Sequence, residues 1–107
     1  MTCVVLYHKC PAGIGFDVLV SSEFKKRHPR LVKIIKETAI YVGKKCMYVK
    51  KFKRLFKEYK EYEVIASCDF ATQDYAWNGM YIIKTIMNNL KSNEIEIKYA
   101  NKLEVIC

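Results

Sequence analysis

The sequence predicts a single α+β domain over residues 1–107. In it a mixed or antiparallel sheet, built from an N-terminal hairpin, a C-terminal hairpin and a central strand, packs against three or four helices. Three observations predict this. Runs of β-branched residues flank Pro11-Ala12-Gly13, several segments repeat apolar residues at helical spacing, and the C-terminal stretch alternates apolar with polar residues. Strands and helices do not alternate regularly along the chain as a doubly wound parallel fold requires, so a sheet covered on one face by helices is expected.

Thr2 to His8 and Ile14 to Val20 meet at Pro11-Ala12-Gly13, which predicts the N-terminal hairpin but leaves its register open. Ser21 and Ser22 are cap residues for a helical segment, and Pro29 fits either a kink or the first turn of a new helix. Leu31, Ile34, Ile35, Thr38, Ala39 and Val42 recur at helical spacing, with Gly43 where a C-terminal cap belongs. Cys46 to Val49 is too short to assign by period and reads as a short strand or as an extension of the next helix. Val49, Phe52, Leu55, Phe56, Tyr59 and Tyr62 follow i, i+3, i+4 spacing, so a helix is expected from Lys50 to Tyr62. Glu63 to Cys68 reads as a buried strand. Thr72 reads as the N-cap of a long helix through Met80, Ile83, Met87 and Leu90, weakened at Gly79. Ile95, Ile97 and Tyr99 alternate with Glu94, Glu96 and Lys98, and Asn101-Lys102 is a turn before Leu103 to Cys107, which predicts the second hairpin.

With about half of its 107 residues apolar, the chain can close one hydrophobic core. Its longest apolar runs, Cys3 to Tyr7 and Val18 to Val20, fall far short of the roughly 20 residues of a membrane span. The N-terminus shows no basic leader and no small-residue cleavage site, so a cytoplasmic and not a secreted protein is expected. Five cysteines, Cys3, Cys10, Cys46, Cys68 and Cys107, are scattered without zinc-site spacing and read as small core residues in a reducing compartment. Lysine outnumbers arginine sixteen to three, and Ile, Asn and Tyr are plentiful. Such a mix suggests an AT-rich coding sequence, as in a virus, phage or low-GC microbe.

The charge is concentrated. Lys44, Lys45, Lys50, Lys51, Lys53, Arg54, Lys57 and Lys60 stand against one acid, Glu58, and account for nearly all of the formal net charge of +8. On a helix, Lys50, Lys53, Arg54, Lys57 and Lys60 fill one arc, opposite Val49, Phe52, Leu55, Phe56 and Tyr59. Like charges at i, i+3 and i, i+4 oppose such a helix by roughly 0.2–0.5 kcal/mol per pair, and Lys50 and Lys51 at its start also oppose the macrodipole. A polyanionic partner reverses the sign of these effects. A solvated surface, nucleic acid, an acidic protein surface and an anionic membrane all suit a lysine face; the membrane is disfavoured because the core needs the apolar arc. Lysine lacks the fork with which arginine reads guanine, so phosphate contact with weak sequence specificity is expected. Tyr41 and Tyr48, near element ends, are the candidate stacking residues, whereas Phe52, Phe56 and Tyr59 have the spacing of a core.

Motifs that would carry catalysis are weak. Cys68-Asp69 ends a strand just before the helix capped by Thr72, where a helix dipole can lower a thiol pKa, but the sequence sets neither His8 nor His28 beside it. Asp69 with Glu96-Ile97-Lys98 matches in residue type the two carboxylates and lysine of metal-dependent nucleases, though a long helix intervenes. Cys3 points away from His8 and Cys10 on a strand, which leaves too few ligands for zinc. Gly13-Ile14-Gly15 leads into a strand, not a helix, and is turn material; Asp17, Asp69 and Asp74 have no defined partner. No metal site and no cofactor are expected. The chain thus reads as a non-catalytic basic protein that contacts nucleic acid phosphates nonspecifically through Lys44 to Lys60. The alternatives are a virus- or phage-encoded inhibitor or adaptor that binds a host protein, and the metal-dependent nuclease. An unprotected hairpin edge also leaves room for a homodimer.

Overall fold

The run Cys3-Val4-Val5-Leu6 is apolar at every position, so a strand through it buries both of its faces. In the computed structural model that strand, β1 (Cys3–Cys10), lies inside a four-stranded sheet. The residues described are 2–10, 13–39, 47–69 and 73–100, and of residues 10, 13, 47, 69 and 73–76 only the backbone. β1 pairs antiparallel with β2 (Gly13–Val20), whose other side pairs antiparallel with β3 (Glu63–Asp69). On its far side β1 pairs parallel with β4 (Ile95–Tyr99), giving the order β3-β2-β1-β4. The sheet is mixed, as expected. Cys3 opposite Val20 and Cys10 opposite Gly13 define the hairpin register. The second arm expected at 103–107, and its turn at Asn101-Lys102, lie outside the described residues; Ala100 is already helical, so β4 stops at Tyr99.

Helices cover both faces of the sheet, not one. α1 (Ser22–Arg27), α2 (Pro29–Thr38) and α4 (Gln73–Asn89) bring Phe24, Leu31, Ile35, Ile82 and Ile86 onto the face of Cys3, Val5, Phe16 and Val18. On the opposite face α3 (Met47–Leu55) and a 3₁₀ turn at Lys57–Tyr59 bring Val49, Phe52 and Tyr59 against Val4, Leu6 and Leu19. Consecutive apolar residues on a period-2 strand point to opposite sides, so one helical layer would leave Val4, Leu6 and Leu19 in water. A bulge lets β3 serve both layers. Ile65 is the extra residue between the pairs Val18 with Ala66 and Leu19 with Val64, so Ile65 and Ala66 join the first core and Val64 the second.

Local chemistry sets most helix ends. Ser21 Oγ accepts the Phe24 amide at 3.1 Å and caps α1, and Pro29 opens α2 as its first helical residue. α2 stops at Thr38, short of the expected Val42: Ala39 is extended, and the Thr38 hydroxyl donates to the Ile34 carbonyl at 2.7 Å. Met47 to Val49 belong to α3, which decides the ambiguous segment in favour of helix. Cys46, Gly43 and Thr72 lie outside the described residues. No helix among the described residues is long and apolar enough to cross a membrane.

Candidate nucleic-acid interface

α3 has two sides because Val49 and Phe52 are fully buried on the sheet while Lys50 and Arg54, one turn apart, are exposed. Lys51 stands next to them, half-buried, on the outward side. Lys53 flanks the core, and its Nζ donates to the Tyr62 carbonyl, tying the helix to the turn beyond it. The helix expected to run to Tyr62 instead breaks at Phe56, where φ is −116° and ψ 88°, before the 3₁₀ turn at Lys57–Tyr59. Lys57 and Lys60, both exposed, therefore continue the basic stretch beyond the helix rather than along it.

Burial of aromatic rings explains the break. After Phe56 the chain brings the Tyr59 ring onto Phe52, with centroids 5.0 Å apart, and the Tyr59 hydroxyl donates to Glu96 on β4. Tyr62 meets Tyr59 edge-on at 4.9 Å, and its hydroxyl shares a 2.7 Å hydrogen bond with Thr2 Oγ1. Two large rings with satisfied hydroxyls outweigh the few helical hydrogen bonds given up.

The basic side chains differ in how they are neutralised. Lys25 and Lys36 share Glu63, and Lys33 meets Glu37. Among the described residues, no carboxylate lies within ion-pair distance of Lys50, Lys51, Arg54, Lys57 or Lys60. Lys44 and Lys45 lie outside the described residues, as does Tyr41. Tyr48 is not available for stacking on a base, because its ring lies on His8 at 5.1 Å and its hydroxyl donates to the Lys9 carbonyl at 3.3 Å. Phe52 is buried, and Phe56 carries Lys98 Nζ above its ring at 5.4 Å. Charge, not aromatic surface, faces outward from α3.

Beside this helix lies a polar cluster that sequence reasoning missed. Asp17, fully buried on β2, is held by His8 Nε2 at 3.2 Å from its Oδ2 and by the Ser67 hydroxyl, which donates to its Oδ1. Asp17 sits directly across from Ser67 on β3 and diagonally from His8 on β1, so three strands supply the three groups. With Tyr48 stacked on His8, the cluster fastens the start of α3 to the sheet. An acid at a core-facing strand position is the available signal, since a buried carboxylate demands partners, but naming them requires the register.

The remaining chemical candidates are kept apart. Cys68 is buried, and burial followed by the charge of Asp17 pushes its thiol up to about 11, the reverse of an activated nucleophile. Cys3, pushed by burial up to about 12, lies on the sheet face opposite His8, as the strand period requires. Asp69 and Glu96 occupy the two outer strands, with two strands between them, so about 14 Å separates them across the sheet. They also differ in height, Asp69 pairing with Gly15 and Glu96 with Val4. Glu96 accepts from Tyr59 and Lys98 lies over Phe56, so the fold does not assemble the nuclease constellation. Among the described residues no three His, Cys, Asp or Glu side chains converge as a metal site. Comparison with known proteins returns no match: no family model, no curated protein and no solved structure is significantly similar to the chain.

Proposed function

We propose that this chain is a small basic binding protein that contacts the phosphates of nucleic acid through the outward face of α3 and the turn that follows it. One observation carries the reading. Lys50, Lys51, Arg54, Lys57 and Lys60 meet no carboxylate among the described residues, whereas three lysines of α1 and α2 do. Uncompensated cations on consecutive turns repel one another, and an array of phosphates turns that repulsion into attraction while releasing counterions. Four of the five are lysines, point charges suited to phosphate, and a single guanidinium offers little base reading. The aromatic rings of α3 are engaged within the fold, so contact follows the backbone and not stacked bases. Binding to labelled duplex, single-stranded DNA and RNA tests the reading. The charge-reversed variant Lys50→Glu/Lys51→Glu/Arg54→Glu abolishes binding at low salt with the far-UV spectrum retained; equal affinity of variant and wild type rejects the proposal.

A further inference from the structure

On the face of the sheet away from α3, β4 is turned inside out with respect to its sequence. Its polar residues Glu96 and Lys98 are half covered by Tyr59 and Phe56, while its apolar residues Ile97 and Tyr99 are 44% and 47% exposed. Beside them α4 presents a second apolar stripe. Ile82 and Ile86 are buried, but Trp77, Met80, Tyr81 and Met87, at i, i+3, i+4 and i+10, are all more than half exposed. A groove of about 510 Å³ joins helix and sheet, lined by Tyr7, Trp77, Met80, Tyr81, Ile83 and Lys84, and Tyr99 continues it by stacking on Tyr7 at 5.7 Å. A surface helix ordinarily turns charge outward, yet between Trp77 and Leu90 the only charged residue is Lys84.

From this face we infer that the chain forms a twofold homodimer, in which the Trp77, Met80 and Tyr81 stripe of α4 and the Ile97 and Tyr99 face of β4 cover the same surface of a second copy. Two arguments select a second copy as the occupant. The first is area. Taking roughly 200 Å² for each large side chain, the middle of the aromatic range, the exposed fractions of Trp77, Met80, Tyr81, Met87, Ile97 and Tyr99 amount to about 650 Å². That approaches the roughly 800 Å² that each partner contributes to a standard interface. The second is charge. Among the described residues this face carries one cation, Lys84, which offers little to steer an acidic or basic partner, and its complement is another apolar face almost without charge. The lysine-rich face of α3, which carries most of the excess charge, lies across the sheet from this surface. Two packed layers put it roughly 20 Å from the dimer plane, beyond the Debye length of about 8 Å at physiological salt. Pairing would leave both α3 faces outward.

Sedimentation velocity of the full chain tests this, with the fluorescence of Trp77, its single tryptophan, as an internal reporter. At about 50 µM, above the micromolar dissociation constant expected for such an area, the species has twice the 12.6 kDa chain mass and a blue-shifted emission. Dilution reverses both. Met80→Glu/Tyr81→Glu, on exposed positions that leave the core intact, weakens association at least 100-fold with an unchanged far-UV spectrum. Added salt leaves dimerisation intact while it weakens nucleic-acid binding, so the two proposals fail independently. A monomer with water-exposed Trp77 emission at every concentration overturns the homodimer and assigns the face to a different partner; so does a dimer that the double variant leaves unchanged.

Discussion

Neutralising the outward face of α3 by Lys50→Gln, Lys51→Gln and Arg54→Gln has a calculable effect on the salt dependence of binding. The five cations of α3 and the turn beyond it that meet no carboxylate among the described residues, Lys50, Lys51, Arg54, Lys57 and Lys60, define the contact set. For duplex DNA the slope of log affinity against log salt is about −0.9 per neutralised phosphate, which gives about −4.5 for five contacts. A fourfold rise from about 50 to 200 mM salt then lowers affinity about 500-fold. In the triple variant two contacts remain, the slope falls to about −1.8, and the same rise costs only about 12-fold. Contacts by Lys44 and Lys45 would steepen the wild-type slope toward about −6, so the slope also counts the residues engaged. Fluorescence anisotropy of a labelled duplex over that salt range measures both proteins, with circular dichroism confirming that the substitutions spare the fold. A wild-type slope shallower than about −1, or one that the triple variant does not change, would refute the assignment of phosphate contact to this face.

Three further outcomes follow from the interior. Asp17→Ala leaves the His8 and Ser67 groups without their carboxylate, and in urea denaturation it costs about 2–4 kcal/mol; a loss under about 1 kcal/mol would show that the cluster does not fasten α3. Tyr59→Phe removes the hydrogen bond to Glu96 while keeping the ring on Phe52, so its cost is about 1 kcal/mol and vanishes in a Glu96→Ala background, which lacks the acceptor. Burial raises the thiols of Cys3 and Cys68 from 9.0 to about 12 and about 11, so the native state holds protons that the unfolded chain releases above pH 9. Stability from these groups is therefore fully present below pH 9 and is lost as the pH rises through about 11 and about 12. Urea midpoints that fall across that range in the wild type, and fall less in Cys68→Ala, check the sign.

Elements defined by local chemistry were legible residue by residue. Pro11-Ala12-Gly13 marks the N-terminal hairpin, Ser21 caps α1, Pro29 opens α2, and the period of Val49 with Phe52 marks α3; the stripe Met80, Ile83, Met87 and Leu90 marks the helix α4 but not its inner side, since Ile82 and Ile86 are buried while Met80 and Met87 are exposed. The second helical layer was legible in principle. Four consecutive apolar residues from Cys3 to Leu6 signal a strand buried on both sides, a stronger constraint than the one-face arrangement inferred from element order. The end of α3 was not legible, because the period of Phe52, Phe56 and Tyr59 suits a continuing helix as well as a chain that breaks at Phe56. The partners of Asp17 were out of reach because they come from two other strands whose pairing no local pattern specifies.

The sequence by itself determined composition, charge and period. It marked a lysine-rich segment with Val49 and Phe52 on its inner side, because helical spacing alone decides which residues share a side. Tertiary structure alone decided which charges stay unneutralised and which apolar residues stay exposed. Glu63 reaches Lys25 and Lys36 from another element, no described acid reaches Lys50 or Arg54, and the polar side of β4 is covered while its apolar side is open. Ion pairing and burial act between residues far apart in the chain, so only strand order and helix placement set their outcome.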